Sequence, residues 1–278
     1  MSSARKASGV QVAERPSDGV ATDRAAETEG QPVDTAPEAL RIATYNIHKG
    51  VQGLGPRRRL EIHNLGQAIE QFDADVVCLQ EVRKLNRRLE QRFRHWPDQP
   101  QADFLAPPGY EAIYRTNAIT RHGEPGTALL SRWPVVSHRH EDMSDHRLEQ
   151  RGLLHVHIDV AGREIHVIVV HLGLVPASRV RQVAQLHRYI QREVPSGVPL
   201  AVAGDFNDWG TRVARDMAEQ GLGGFEGPPL PTYPSRLPIA QLDHIYVRGL
   251  VPLRREVPRG RIWSRMSDHL PLLADYRL

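Results

Sequence analysis

Cysteine, lysine and long apolar runs are scarce in this chain, and each scarcity excludes something. One cysteine, Cys78, in 278 residues rules out an intrachain disulfide and a cysteine-based zinc site. It sits in the apolar stretch Val76-Val77-Cys78-Leu79, the setting of a small buried hydrophobe rather than a reactive thiol. Fourteen histidines leave other metal sites open. No stretch approaches the roughly 18 consecutive apolar residues that a membrane-crossing helix needs. Of the 36 basic residues only Lys6, Lys49 and Lys84 are lysines. The arginine bias suits bidentate phosphate contacts and is equally explained by codon usage in a GC-rich genome. A net charge of +3 is too small to indicate nucleic acid by itself.

A composition of 40% hydrophobic and 25% charged residues excludes collagen, coiled-coil and wholly disordered chains, and the length suffices for a substantial core. Residues 1–38 stand apart. They hold no Leu, Ile, Phe, Tyr or Trp, and such a segment cannot bury enough apolar surface to offset its ordering entropy. A disordered N-terminal tail is expected there, with one catalytic domain over residues 39–278. The tail carries four basic and seven acidic residues, which leaves the remainder at about +6. It has no apolar core of the kind a secretory signal requires, so a cytoplasmic location is expected if Met1 is the true start.

Residues 41–47, 74–80, 110–115, 126–131, 135–140, 152–159, 164–172, 199–203, 243–247 and 270–276 read as strands, with a tight turn at Ala161-Gly162. Ile62, Leu65, Ile69 and Phe72 recur at helical spacing. Val180, Val183, Leu186 and Ile190 mark a second helix that Ser178 would cap, and residues 209–220 read as a third. Many strands with few helices imply two sheets packed face to face with helices outside.

Polar groups follow apolar strands at once in four places: Asn46 after Ile42-Ala43-Thr44-Tyr45, Gln80-Glu81 after Val76–Leu79, His171 after Ile168-Val169-Val170, and Asp205-Phe206-Asn207 after Val202-Ala203-Gly204. Two more sit at strand starts, Asp243-His244 and Ser267-Asp268-His269. Rigid strands fix such side chains, and sites in sheet proteins gather where strand ends meet loops. Singly, each has a bland reading: Asp205, Asn207 and Asp268 as turn formers, Glu81 as a solvated edge residue, His171 as a satisfied core histidine.

As an ordered set these stretches resemble the endonuclease/exonuclease/phosphatase family. Leu129-Leu130-Ser131-Arg132-Trp133-Pro134 adds to the match, which covers nearly all of residues 40–278. Asn46-Ile47-His48-Lys49-Gly50 resembles a bacterial branch of small metal-dependent hydrolases similar to proteins linked to lipid and GPI-anchor remodelling. The resemblance implies a four-layered α/β sandwich, two packed and mostly antiparallel sheets flanked by helices, that cleaves phosphate esters with Mg²⁺ or Mn²⁺. A phosphodiester is an anion that repels hydroxide, so catalysis needs charge neutralisation and a positioned water. Mg²⁺ takes oxygen ligands and keeps several waters.

The resemblance assigns the metal to Glu81, with Asn46 and Asp268 beside it, Asn46 supplying either a carbonyl oxygen or a supporting hydrogen bond. Asp205 would orient or deprotonate the attacking water, or bind a second metal. Asn207 would hold a phosphate oxygen, and Asp243 would orient His269. His171 would contact the phosphate or protonate the leaving oxygen. The pair His171 and His269 is similar to that of the DNase I, sphingomyelinase and 5-phosphatase members, and unlike the AP endonuclease branch. Arg151 is read as a phosphate clamp or a surface ion pair, Lys49 and His48 as able to reach substrate, and His48 otherwise as a loop residue. Arg57-Arg58-Arg59 and the basic residues between 83 and 94 could attract a polyanion, with Lys84, Arg87 or Arg88, and Arg92 on one helical face. Trp209 would line the cleft or cover the core.

Expected, then, is a metal-dependent phosphodiesterase acting as a nuclease on DNA or RNA, with a hydrolase of phospholipid headgroups or phosphorylated small molecules as the alternative. A catalytically silent binding protein is disfavoured by the full set of acids and histidines. Nothing points to an obligate protein partner.

Overall fold

The computed structural model describes residues 37–53, 55–147 and 149–278. The expected tail over residues 1–38 lies almost wholly outside them. In chain order the elements are β1 (Ala39–Asn46), the short strands β2 (Val51–Gln52) and β3 (Arg59–Leu60), α1 (Ile62–Phe72), β4 (Val76–Asn86), α2 (Arg87–Glu90), α3 (Gln101–Leu105), β5 (Glu111–Thr116) and β6 (Gly123–Ser131). Then come β7 (Val135–Asp142), β8 (Gly152–Val160), β9 (Arg163–His171), α4 (Pro176–Glu193), β10 (Leu200–Asp205), α5 (Arg212–Glu219), β11 (Asp243–Arg248), β12 (Val251–Glu256), α6 (Trp263–Met266) and β13 (Leu272–Arg277).

Two sheets form the centre, one in the order β12-β13-β1-β4-β6-β5, the other β11-β10-β9-β8-β7. Their facing sides make the central core, where Ile42, Cys78, Val156 and Val167 are fully buried. The outer side of the first sheet is covered by α1 and α3 through Leu65, Phe72 and Leu105. The outer side of the second is covered by α4 and α5 through Val183, Leu186 and Met217. This is the four-layered α/β sandwich that the resemblance implied. The β1–β4 and β9–β10 pairs are parallel and the rest antiparallel. Among the described residues no helix is long and apolar enough to cross a membrane.

Departures from the expected elements have local causes. Among the described residues thirteen strands replace ten; the additions are the two-residue β2 and β3 and the exposed edge strand β12, whose Pro252 and paired arginines hide any alternation. β4 does not end at Gln80. Glu81 turns to φ +57, the register against β6 shifts between Leu79 and Val82, and the strand resumes to Asn86. This bulge turns a ladder position into a site position, so Glu81 is not a solvated edge residue. It also puts Arg83 and Lys84 on a strand and confines α2 to one turn, so the expected basic helical face does not form. α4 starts at Pro176, with Val175 at the cap position, because proline is pre-organised for the first turn. Ser178 faces inward and donates to Asp145 Oδ2 at 2.6 Å. α5 begins later than expected because Asp208 accepts from Gly210 N and Val213 N, capping the helix from outside it.

Candidate active site

The chain brings the expected acids, amides and histidines to one end of the sandwich. Register does most of this. Asp205 lies opposite His171 on β9 and opposite Asp243 on β11, so three polar residues sit side by side at the ends of adjacent strands. Gly204, just before, has φ +155, and a Cβ there would lie 1.9 Å from the Val170 carbonyl oxygen; only glycine lets the strands close here. From the other sheet β1 ends at Asn46, and the segment entering β13 carries Ser267, Asp268 and His269. Ser267 Oγ donates to Asn46 O at 2.6 Å, fastening that segment to the end of β1.

Asp205 Oδ2 is the convergence point. Asn46 Nδ2 donates to it at 3.0 Å, His171 Nε2 lies 3.5 Å away and His269 Nε2 3.6 Å. Its other oxygen accepts from Asn207 N at 2.9 Å. His269 Nδ1 pairs with Asp243 Oδ2 at 2.8 Å, in a setting where Asp243 is fully buried and His269 nearly so. Burial alone would lower the His269 pKa, but the carboxylates of Asp243 and Asp205 outweigh it and push it up to about 10. His171 goes the other way: burial first, then the Arg151 charge, bring it to about 4. Burial raises the Asp205 carboxyl, against the pull of His269 and His171. Two buried imidazoles around one carboxylate are thus held in opposite protonation states.

Glu81 stands on the other side of Asn46, whose Nδ2 lies 3.5 Å from Glu81 Oε1. Lys49 Nζ is 3.1 Å from Oε2, yet that buried oxygen has no directed hydrogen-bond donor. Burial would raise the Glu81 pKa, but Lys49, His171 and His48 bring it down to about 2. Asp268 is reached through His48, whose Nδ1 is 3.0 Å from Oδ2. Asn46 Oδ1 accepts from His48 N at 3.1 Å, so in this arrangement Asn46 supplies hydrogen bonds between the acids rather than a free oxygen. Asn207 spends one amide N–H on Leu172 O at 2.9 Å. Arg151 forms the ion pair, with Glu149 Oε1 at 2.9 Å, and with Lys49, Glu81 and His171 it lines a cleft of about 320 Å³. Trp209 is exposed, its ring against Tyr233, and Tyr233 in turn packs on His269 with ring centres 4.9 Å apart. A larger cavity of about 700 Å³ lies beside this centre, behind Trp209, His244 and Tyr246, and holds none of these acids.

Among the described residues six other than glycine have positive φ, and four are here: His48, Lys49, Glu81 and Asn207. Such strain persists only where surrounding contacts over-determine it. Gln101 is one such contact, and sequence reasoning missed it. Fully buried, it donates to Lys49 O at 2.8 Å and accepts from Arg83 N at 2.9 Å, bracing the His48–Gly50 turn against the bulge. Nothing in the sequence around Gln101 signals this. His48, read from the sequence as a loop residue or as one able to reach substrate, sits on the turn after β1 and pairs with Asp268.

The sequence pattern of the Endonuclease/Exonuclease/phosphatase family matches residues 43–269. The chain belongs to this family. The Escherichia coli (strain K12) protein YbhP is 36% identical over 255 residues, covering 89% of this chain and all of the relative. Sphingomyelinase C of Leptospira interrogans is 27% identical over 216 residues, covering 63% of this chain and 38% of the relative. The crystal structure of an endonuclease/exonuclease/phosphatase from Beutenbergia cavernae shares the fold, with a TM-score of 0.69 and 24% identity over 87% of this chain and 72% of that one. Family membership makes the chain a phosphodiesterase- or phosphatase-type hydrolase, of a family generally dependent on a divalent metal.

The residues fit such an ion. Glu81 is an ionised carboxylate whose buried Oε2 faces only the Lys49 ammonium, and Asp268 adds a second acid, which burial would raise but His48 holds low. Two carboxylates and water suit a hard cation such as Mg²⁺. The tight group Asp205, Asp243 and His269 has ligand atoms within 4.8 Å of one another, but its histidine is committed to a hydrogen bond and held protonated, which opposes metal ligation. A second tight group, His157, Glu164 and His166, lies on β8 and β9 away from this end, where His166 bonds to His155 and Glu164.

Proposed function

We propose that residues 39–278 form the catalytic domain of a divalent-metal-dependent hydrolase of phosphodiester bonds, acting through Glu81, Asn46 and Asp268 on the metal side and Asp205, Asp243, His269 and His171 on the proton-transfer side. The observation that carries this reading is the convergence of His171, His269 and Asn46 on one buried carboxylate oxygen of Asp205. A bound Mg²⁺ or Mn²⁺, held by Glu81 and Asp268, would neutralise phosphate charge and favour the attacking water.

The residues of the chain do the rest. Asp205, its pKa raised by burial, accepts the proton of the attacking water. The His269 imidazolium, oriented by Asp243, stabilises charge on the phosphoryl oxygens and protonates the leaving oxygen. With 3.6 Å between His269 Nε2 and Asp205 Oδ2, the proton taken up by Asp205 can return to His269 and restore the site. His171, neutral at pH 7, donates to a phosphate oxygen, as does the remaining amide N–H of Asn207. Lys49 and Arg151 line the approach and bind the anion.

Nuclease action is the second reading, supported by Lys49, Arg83 and Arg151 around the cleft, although the helical basic face that first suggested it does not form. The test is a substrate panel: bis-p-nitrophenyl phosphate, plasmid DNA, single-stranded DNA, RNA and phospholipids, each with Mg²⁺, Mn²⁺ or EDTA. Metal-dependent cleavage of the soluble diester is expected. Full activity in EDTA, unimproved by added metal, would end the metal-dependent reading.

A further inference from the structure

Among the described residues ten large hydrophobic side chains stand exposed, and most of them crowd one end of the molecule. Ile119, 82% exposed, tips the β5–β6 connection, which opens beside Val82 through the pairing of Thr116 and Val82 with Gly126. Leu174 and Val175 follow His171, and Trp209 follows Asn207. Leu237 and Ile239 lie on the connection that enters Asp243, and Ile262 precedes Asp268. The remaining three are on the edge strands β7 and β12. Scattered exposed apolar side chains need no explanation. Seven on five separate connections that lead from or into the segments carrying the site residues are a patterned surface.

The charges on those connections are mostly of one sign. Residues 117–122, 172–175, 206–211 and 257–267 contain no exposed Asp or Glu, and residues 220–242 contain one, Glu226. They do expose Arg121, Arg236, Arg259, Arg261 and Arg265, none of them in an ion pair among the described residues. Aliphatic tips and a tryptophan interleaved with unpaired cations match the interfacial region of an anionic bilayer, where apolar groups enter the acyl boundary and arginines meet lipid phosphates. Nucleic acid would satisfy the arginines but not the aliphatic tips, since its bases stack on aromatic faces and only Trp209 among the seven offers one.

We infer that this end docks on an anionic phospholipid surface and that the site hydrolyses a phosphate ester carried by a lipid there. The substrate class rests on the phosphodiester-hydrolase reading above; the docking surface stands without it. In the step itself the water oxygen bonds to phosphorus, one P–O ester bond breaks, and the proton lost by water is returned to the leaving oxygen through Asp205 and His269.

The test uses the full chain and vesicles of phosphatidylglycerol with phosphatidylcholine, against pure phosphatidylcholine. Wild type should co-sediment with the anionic vesicles, less so at raised salt, and should release a product from the phosphatidylglycerol. L237S/I239S, at two exposed positions that cannot disturb the core, should weaken partition on the order of tenfold, and R236Q/R261Q should weaken it comparably. Both should hydrolyse bis-p-nitrophenyl phosphate at the wild-type rate. Docking is overturned if wild type ignores anionic vesicles, if L237S/I239S binds them as wild type does, or if DNA is bound instead with loss only in the arginine variant. Docking without lipid hydrolysis, with the soluble diester still cleaved, overturns the substrate class alone. Failure on the soluble diester with docking intact falls on the catalytic reading instead.

Discussion

Asp243→Asn isolates the electrostatic core of the proposed mechanism. The change keeps the shape of a buried side chain 2.8 Å from His269 Nδ1 and removes its charge. With that charge present His269 titrates at about 10, against an ordinary value near 6.5. At about 1.4 kcal/mol per unit, the surrounding carboxylates favour the imidazolium by several kcal/mol. The protein shows what burial does to a histidine that pairs with no carboxylate: His244, bonded to the Gln241 carbonyl, is lowered to about 4, burial being the first cause. Asp243→Asn should therefore carry His269 from mostly protonated to mostly neutral at pH 7.5. The proton that the leaving oxygen needs would be missing, and turnover should fall by something on the order of 10²–10⁴-fold, with substrate binding nearly unchanged. His269→Ala should fall as far, and the double variant little further, because the two residues act as a unit. His171→Ala should add its own separate loss. The assays are the rate against pH on a soluble diester with excess metal, and the NMR titration of the His269 ring. A wild-type rate for Asp243→Asn, an unmoved His269 titration, or full additivity in the double variant would refute the reasoning.

Other expectations follow from the same geometry. Glu81→Gln should abolish turnover at ordinary Mg²⁺ with an unchanged circular dichroism spectrum, and raised Mn²⁺ should restore part of it; retained activity would show that Glu81 does not hold the metal. Gly204→Ala should destabilise the fold by at least about 2–4 kcal/mol, read as a lowered urea midpoint, because its Cβ meets the Val170 carbonyl. Burial lowers His155 to about 4, so the unfolded chain binds the extra proton between pH 6.5 and 4. Its contribution, about 3 kcal/mol, is fully present above pH 6.5 and lost as pH falls through 4. The pH dependence of the melting temperature should flatten over that window in His155→Gln. Deleting residues 1–36 should leave melting temperature and turnover nearly unchanged, since that stretch offers no Leu, Ile, Phe, Tyr or Trp to anchor it; a large drop in either would refute this.

The core strands were legible because their apolar runs are long and bounded by turn residues, and the polar residues behind them carried the family resemblance. The positive φ of Glu81 was not legible. It arises at a bulge in the β4–β6 ladder, and the strand that resumes beyond it takes Lys84 out of the helical face that the spacing of Lys84, Arg87 and Arg92 had suggested. Ser178 misled because a good cap residue also suits an inward hydrogen bond, and Pro176 had the stronger claim on the first turn. β12 was missed because an edge strand needs no apolar face. Gln101 was invisible for a different reason: its two hydrogen bonds reach across 52 and 18 residues of chain, and no local pattern encodes them.

Asp243 comes from β11 in one sheet, whereas His269 enters β13 in the other. Their 2.8 Å bond is therefore a seam between two layers whose mutual position is fixed mainly by side-chain packing in the central core. Sandwich docking and proton transfer share a single tolerance. A substitution such as Val156→Ala, far from any substrate, opens a void between the layers and relaxes that seam before the protein unfolds. Turnover is then a more sensitive gauge of interlayer spacing than the melting temperature, and loss of activity in a core variant that remains folded is to be read as misalignment across the seam rather than as damage to the chemistry.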